Sequence, residues 1–268
     1  MMQDYLTLGY GQLALATLLI LVNLALSIAL RLGLERSLFI ATIRSIVQLL
    51  LIGFVLEWLF RQDNPLIILA IALLMTAIAA SAAINRTQRR FNGMYWDSLL
   101  SIMVAAGLVT GISLTGIIQV DPWYDPQYLI PLLGMILGNM LNGISLGLDR
   151  FMTSLVEQQQ QIETLLTLGA TRWEAAHQQV RNAVQTGMIP ILNSMMVVGL
   201  VSLPGMMTGQ ILAGADPLDA VRYQIIIMFM IASATALGTF GVVLLAFNTL
   251  LVPHRLRLEH LHNKSLST

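Results

Sequence analysis

The stretch PLIILAIALLMTAIAASAAI, residues 65–84, carries no charged side chain. As a helix, about 20 residues rise roughly 30 Å, the thickness of a bilayer's hydrocarbon core. Apolar runs of similar length recur along the chain. Hydrophobic residues make up 56% of it and charged residues only 10%, where soluble domains carry about 25% charged. A soluble fold of 268 residues cannot hide that much apolar surface, so the solvent is lipid. The fold class expected is all-α, a polytopic membrane protein.

Working outward from residues 65–84, the sequence predicts seven transmembrane helices, over 8–30, 37–60, 65–84, 98–120, 128–148, 188–213 and 223–252, the last two long enough to tilt or break. With the N-terminus outside, the inner segments hold Arg31, Arg36, Arg86, Arg89, Arg90, Arg150, Arg172, Arg181, Arg255, Arg257 and Lys264, and the outer ones keep Arg61 and Arg222. That asymmetry predicts an N-out, C-in topology. Residues 1–11 lack the basic region of a cleaved signal peptide, so the first span is expected to be permanent. The chain, 1–268, reads as a single transmembrane domain with a cytoplasmic segment at 149–187 and a cytoplasmic tail at 253–268. A net charge of zero argues against nucleic acid as a partner, and the lack of cysteine excludes disulfides and thiolate metal sites.

The segment 149–187 is the most informative. Leu155, Ile162, Leu165, Leu166 and Leu168 fall at helical spacing beside the polar run from Gln158 to Gln161. Gly169 supplies a C-cap, and Thr171 with Glu174 makes a capping box that opens a second helix. The expectation is a helix, a tight elbow and a helix, with Leu168, Ala170 and Trp173 near the corner. Two readings stay open on these residues alone: a hairpin lying on the headgroups through Trp173 and its arginines, or a knob that docks into a cytoplasmic partner.

The run Glu163-Thr-Leu-Leu-Thr-Leu-Gly169-Ala-Thr resembles the coupling-helix signature of ABC-transporter permeases, with Glu163 and Gly169 at the two marked positions. Thr164 and Leu165 stand where that signature usually has alanines, and its downstream Ile-x-Leu-Pro is displaced to Met188-Ile189-Pro190. Arg44-Ser-Ile-Val-Gln48-Leu, Gly138-Asn139-Met140-Leu-Asn142-Gly143 and Leu203-Pro204-Gly205-Met206-Met207-Thr208-Gly209-Gln210 occur in that order, with the elbow between the last two. Together they resemble the Fet-type iron-export ABC permease family, which includes plant aluminium-tolerance permeases. The resemblance implies a permease homodimer in the inner (plasma) membrane, two copies of a separate ATPase subunit, export rather than import, and iron as substrate. Glu163, Leu168, Gly169, Ala170, Thr171, Trp173 and Glu174 would then couple to the ATPase.

The energy source is expected elsewhere. A Walker A loop needs a lysine after a glycine-rich turn, and the single lysine, Lys264, has no glycines before it. The chain is therefore expected to be a non-catalytic subunit that binds no cofactor, with ATP and Mg held by the partner.

Candidate pathway residues are those that interrupt apolar helices. Arg44 lies about seven residues inside the second span, with Gln48 one turn deeper on its face. It either snorkels to the inner headgroups or forms an internal gate with Glu57 or a polar residue of another span. Gly134, Gly138 and Asn142 step by four along the fifth span, with Asn139 alongside, a pattern of close helix packing, a dimer interface or a pathway wall. Pro204-Gly205 should break the sixth span, leaving Met206, Met207, Thr208 and Gln210 beyond the break. Methionine thioethers are soft ligands, better suited to Cu(I) than to iron. The tail's Glu259, His260 and His262 either bind metal or belong to a solvated basic segment, and His254 joins that tail; His177 is a face of the elbow's second helix. Asp121-Pro-Trp-Tyr-Asp125-Pro reads as an outer turn.

Three competing functions remain on the sequence. An ion-driven secondary transporter needs buried carboxylates, and Glu57 and Asp97 lie near span ends. An intramembrane enzyme needs a catalytic pair at matched depth, and no histidine falls in a span. An ABC permease for a sugar nucleotide or another organic solute fits as well as one for a metal ion.

Overall fold

The structure, a computed structural model, describes residues 9–252, 255–256 and 261–263. They fall in two compact units, one of Met1–Gln62 with Leu212–Ala215, the other of Asp63–Ile211 with Asp216–Thr268. His254, Arg257, Glu259, His260 and Lys264 lie outside the described residues.

The first unit pairs α1 (Tyr10–Ala29) with α2 (Glu35–Leu59). Their turn is tied by Ser27, whose hydroxyl donates to Glu35 Oε2 at 2.9 Å and accepts from the Leu34 amide at 3.1 Å. Leu59 alone of α2 is buried. So long an apolar surface requires lipid or another chain against it.

The second unit runs α3 (Pro65–Asn85), β1 (Arg89–Arg90), α4 (Met94–Ile112) with a π-helical continuation (Ser113–Ile117), α5 (Pro126–Glu157), α6 (Gln159–Thr167), α7 (Arg172–Val197), α8 (Gly205–Leu212) and α9 (Pro217–Leu250). Two-residue strands β2 (Leu251–Val252), β3 (Arg255–Leu256) and β4 (His262–Asn263) follow; β2 pairs antiparallel with β3, and β1 with β4. The core is built on α5, which packs on α3, α7 and α9, while α9 also packs on α4. Met140, Ile144, Leu148, Phe151 and Leu155, spaced by three or four, form its buried stripe.

Three of these helices start on the same device, an Asn or Asp before proline. Asn64 accepts from the Leu66 amide at 2.9 Å, Asp125 from Gln127 at 2.8 Å, and Asp216 from Leu218 at 2.8 Å and Asp219 at 3.3 Å. Each side chain satisfies an amide left free at the helix start, and each proline supplies a preset φ where no amide is needed.

Where α5, α7 and α9 meet, backbone approaches backbone. A Cβ on Gly187 would stand 2.6 Å from both the Gly143 carbonyl oxygen and Thr239 Cγ2, and one on Gly143 would stand 2.6 Å from Thr235 Cγ2. Gly147 faces Thr239 Cγ2 in the same way, at 2.7 Å. Gly143, Gly147 and Gly187 are thus close-approach glycines, as is Gly238 of α9, where a Cβ would stand 2.8 Å from Met140 Sδ. The expected stripe of Gly134 and Gly138 is not among them: a Cβ on Gly134 would meet only the Met75 methyl at 3.5 Å, and one on Gly138 nothing within 4 Å.

Among the described residues, five helices are long and apolar enough to cross a membrane: α2, α3, α4 with its π-helical end, α5 and α9. By the same measure Leu15–Ala29 is a shorter apolar helix. The span drawn over 188–213 is broken, as its Pro204-Gly205 led us to expect, but the break starts earlier. The helix there begins at Arg172, ends at Val197, and resumes only at Gly205. The break therefore opens six residues ahead of Pro204, where Gly199 takes φ +82° and its amide donates to the Ser202 carbonyl at 2.9 Å.

Candidate functional site

The break between α7 and α8 opens two adjoining cavities in the second unit. One, of about 290 Å³, is lined by Met135 and Asn139 of α5, Ser194 of α7, Ser202 and Pro204 of the break, Met206 of α8, and Gln224 and Met228 of α9. Its neighbour, of about 520 Å³, shares Val198, Gln224 and Met228, and adds Met195, Met207 and an aliphatic rim. Gln224 is 7% exposed, and its Oε1 has no hydrogen-bond partner. An unpartnered buried acceptor costs about 1–3 kcal/mol. Asn139 Nδ2 is spent on its own helix, donating to the Met135 carbonyl at 2.9 Å. Neither cavity is lined by a carboxylate, histidine or basic side chain, and no cluster of metal-binding His, Asp or Glu occurs among the described residues.

The elbow forms as the sequence requires. At the end of α6, Gly169 adopts φ +93°, a conformation open to glycine. The Gly169 amide donates to Leu166 O at 3.2 Å and the Ala170 amide to Leu165 O at 3.0 Å, closing the helix end. Thr171 Oγ1 accepts from the Glu174 amide at 3.2 Å, while Glu174 Oε2 accepts from the Thr171 amide at 2.8 Å. That amide, and after it the Thr171 hydroxyl, hold the Glu174 carboxyl below its ordinary pKa of 4.5. Glu163 Oε1 accepts from Gln159 Nε2 at 2.9 Å. Ile162 and Leu166 turn inward, whereas Leu168 stands 79% exposed at the corner.

Trp173 does more than mark the corner. Its ring meets His177 at 5.0 Å and Phe247 of α9 at 5.8 Å, both edge-on. Arg172 Nη1 donates to the Leu251 carbonyl at 3.0 Å. The elbow is therefore fastened to the end of α9. Gln179 Nε2, donating to Gln158 Oε1 at 2.5 Å, fastens it to the α5–α6 junction. From this anchored corner, α7 continues for 26 residues without interruption to the rim of the cavities. At 1.5 Å per residue that is about 39 Å of helix, with Pro190 inside it.

Comparison with known proteins gives one family. The model of an uncharacterised protein family, UPF0014, matches residues 10–251. The chain belongs to this family. The UPF0014 membrane protein slr1647 of Synechocystis is 45% identical over 74% of this chain and 77% of its own. The probable iron export permease protein FetB of Escherichia coli is 36% identical over 85% of this chain and 86% of its own. Protein ALUMINUM SENSITIVE 3 of Arabidopsis thaliana is 34% identical over 86% of this chain and 83% of its own. No solved structure matches. The Fet-type resemblance is thereby established, and the chain is a helical membrane protein with a relative named as a permease.

In this UPF0014 chain the structure brings Asn139, Pro204, Met206 and Met207 together at the cavities. Gln210 lies further along α8 and lines neither. Asn142 accepts from Arg86 Nη1, in a basic turn tied to α5 by Gln88 N to Asp149 Oδ1 at 2.9 Å and by Arg89 Nη1 to Met152 O at 3.4 Å. Arg44 and Gln48 lie exposed in the first unit. Glu57 is not the partner of Arg44: it pairs with Arg61 at 2.8 Å, and about 20 Å of helix separates positions 44 and 57. The residues missed were Gln224, Met228, Met135 and Ser194. An amide inside an apolar span is a legible signal for Gln224. The others look like ordinary span residues until three helices converge.

Proposed function

We propose that this chain is the membrane-embedded, non-catalytic permease subunit of an ATP-driven ABC exporter. The continuity of α7 carries the proposal. One helix runs from a corner that presents Leu168 outward to a cavity at the broken span, so a push at the corner has a continuous helical path to the cavity. Glu163 to Glu174 form the seat for a separate ATPase, two copies of which bind ATP and Mg and drive a permease homodimer. In the plasma (inner) membrane the chain lies N-out and C-in with seven crossings, the sixth made jointly by α7, the break and α8. The arginines at positions 86, 89, 90, 150, 172 and 181 on the elbow side support this orientation. The cargo is iron, another metal ion or a small organic solute such as a sugar nucleotide. The name of the E. coli relative favours a metal ion. A proton- or ion-driven mechanism is the weaker alternative, since neither cavity presents a carboxylate.

Mild-detergent purification of the tagged chain from its native membrane tests this. An ATPase should accompany the wild type and be lost with Gly169→Arg and with Leu168→Glu. The second variant changes an exposed side chain in ordinary backbone, so its loss of partner cannot be put down to misfolding. An ATPase that stays bound to both variants, or never appears after crosslinking, overturns the docking role.

A further inference from the structure

We infer that the paired cavities at the α7–α8 break form a binding site for a soft, monovalent thiophilic cation of the Cu(I) or Ag(I) class, held by methionine thioethers and the Gln224 amide oxygen. The assignment rests on the cavities being the transport site of the permease proposed above, and it narrows the cargo of that site.

Three observations carry it. First, three methionines line each compartment, Met135, Met206 and Met228 in one, Met195, Met207 and Met228 in the other. Met228 and Gln224 stand between them. Methionine is common core filler, but here five contributed by α5, α7, α8 and α9 surround empty space rather than fill it. Second, Gln224 lines both cavities, and its oxygen, closed off in the wall, has no partner to give up when the amide turns inward. An amide oxygen offers lone pairs and no proton, which suits a cation and gives an apolar solute nothing. Third, the lining holds no carboxylate, imidazole or thiol. A hard divalent ion stripped of water would find no opposite charge there, and its desolvation penalty grows with the square of its charge. A monovalent ion carries a quarter of that penalty. Thioethers also prefer soft acceptors, whereas Mg, Ca and Mn prefer oxygen.

The measurement is silver binding to the purified chain in lipid nanodiscs, by titration with Ag⁺ against Fe²⁺ under anaerobic, reducing conditions. Met206→Leu combined with Met228→Leu keeps side-chain volume and removes one thioether private to the smaller compartment and the shared one. This double variant should weaken silver binding by at least about tenfold, as loss of ligand-shell groups typically does. Gln224→Leu should weaken it too. Met196→Leu, one residue along α7 from Met195 but 68% exposed and outside both cavities, should bind as the wild type does. A double variant with wild-type silver affinity, or a wild type that binds Fe²⁺ as tightly as Ag⁺, overturns the assignment. Co-purification of the ATPase is read on the same preparations. If it persists while silver binding proves unselective, the cation site falls and the permease stands; if it is absent from the wild type, the permease falls whatever silver does.

Discussion

Gly187→Ala should loosen the fold at the junction of three helices, and the size of the effect follows from the geometry. The added methyl would lie 2.6 Å from the Gly143 carbonyl oxygen, where ordinary contact begins at 3.4 Å. The obstacle is backbone, so no rotamer change relieves it, and α7 must move off α5 by the 0.8 Å between those two distances. Overpacking of this kind costs about 1–3 kcal/mol. A helix-interior glycine replaced by alanine also gains about 1 kcal/mol of intrinsic helix propensity, which masks part of the loss. Gly107→Ala removes that ambiguity. Gly107 is also helical, in α4, and a Cβ there meets nothing within 4 Å. Both variants share the propensity gain, so the difference between them isolates the steric term. At about 2–4 °C per kcal/mol for a chain of this size, Gly187→Ala should melt about 2–12 °C below Gly107→Ala in detergent, followed by loss of the monodisperse chromatographic peak on heating. Equal melting of the two variants would refute the close approach of α7 to α5.

The fastening of the elbow gives a second test: in a Trp173→Ala, Phe247→Ala double-mutant cycle, the coupling energy should be about 0.5–1.5 kcal/mol, and additive effects would mean the rings are merely adjacent. The capping box gives a third. Glu174 has a depressed folded pKa, so its contribution is complete above the ordinary value of 4.5 and is lost as pH falls through the depressed one. Intrinsic-rate-corrected hydrogen-exchange protection in the first turn of α7 should accordingly hold above that value and fall below it, and Thr171→Ala should remove the dependence. Finally, Gln224→Leu should leave thermal stability unchanged or raise it by up to about 1–3 kcal/mol, because it removes an unpartnered buried acceptor, while impairing transport in membrane vesicles; a clear loss of stability would mean the amide has a structural partner after all.

Composition and span length were enough to identify a helical membrane protein, because both report the solvent rather than the packing. The elbow was legible too, since Gly169, Thr171 and Glu174 lie within one short stretch of chain, 169–174, and need no tertiary partner. Helix starts were misread by two to six residues at α5 and α9. The spans were drawn on hydropathy, whereas Asp125-Pro126 and Asp216-Pro217 start these helices by hydrogen bonding to amides in the first turn. The packing glycines were misassigned for a different reason. Gly134, Gly138 and Asn142 show the right spacing, but which face of α5 meets α7 and α9 depends on side chains from other helices, such as Thr235 and Thr239.

What hydropathy left unread is that the helix after the elbow and the span drawn from residue 188 are one helix, α7. The residues before that point are polar and those after it apolar, so composition suggests a loop-borne elbow followed by a separate span. Helix continuity answers to a different rule: no residue from Arg172 to Val197 takes a positive φ, and Pro190 interrupts one hydrogen bond without ending the helix. The polar half can stay helical because Ala175, Ala176, Gln179, Val180 and Ala183 bury one face. Gly187 then lets the rod pass α5 and α9 at backbone distance. Its position matters mechanically. It lies between the Trp173–Phe247 clasp at one end and Ser194 on the cavity wall at the other, about 21 Å and 10 Å away along the helix. The close contact at Gly187 thus lies between the two ends of the helix. The same contact that makes Gly187→Ala destabilising is therefore where coupling between the proposed docking corner and the proposed cation site should be most sensitive to a single added methyl.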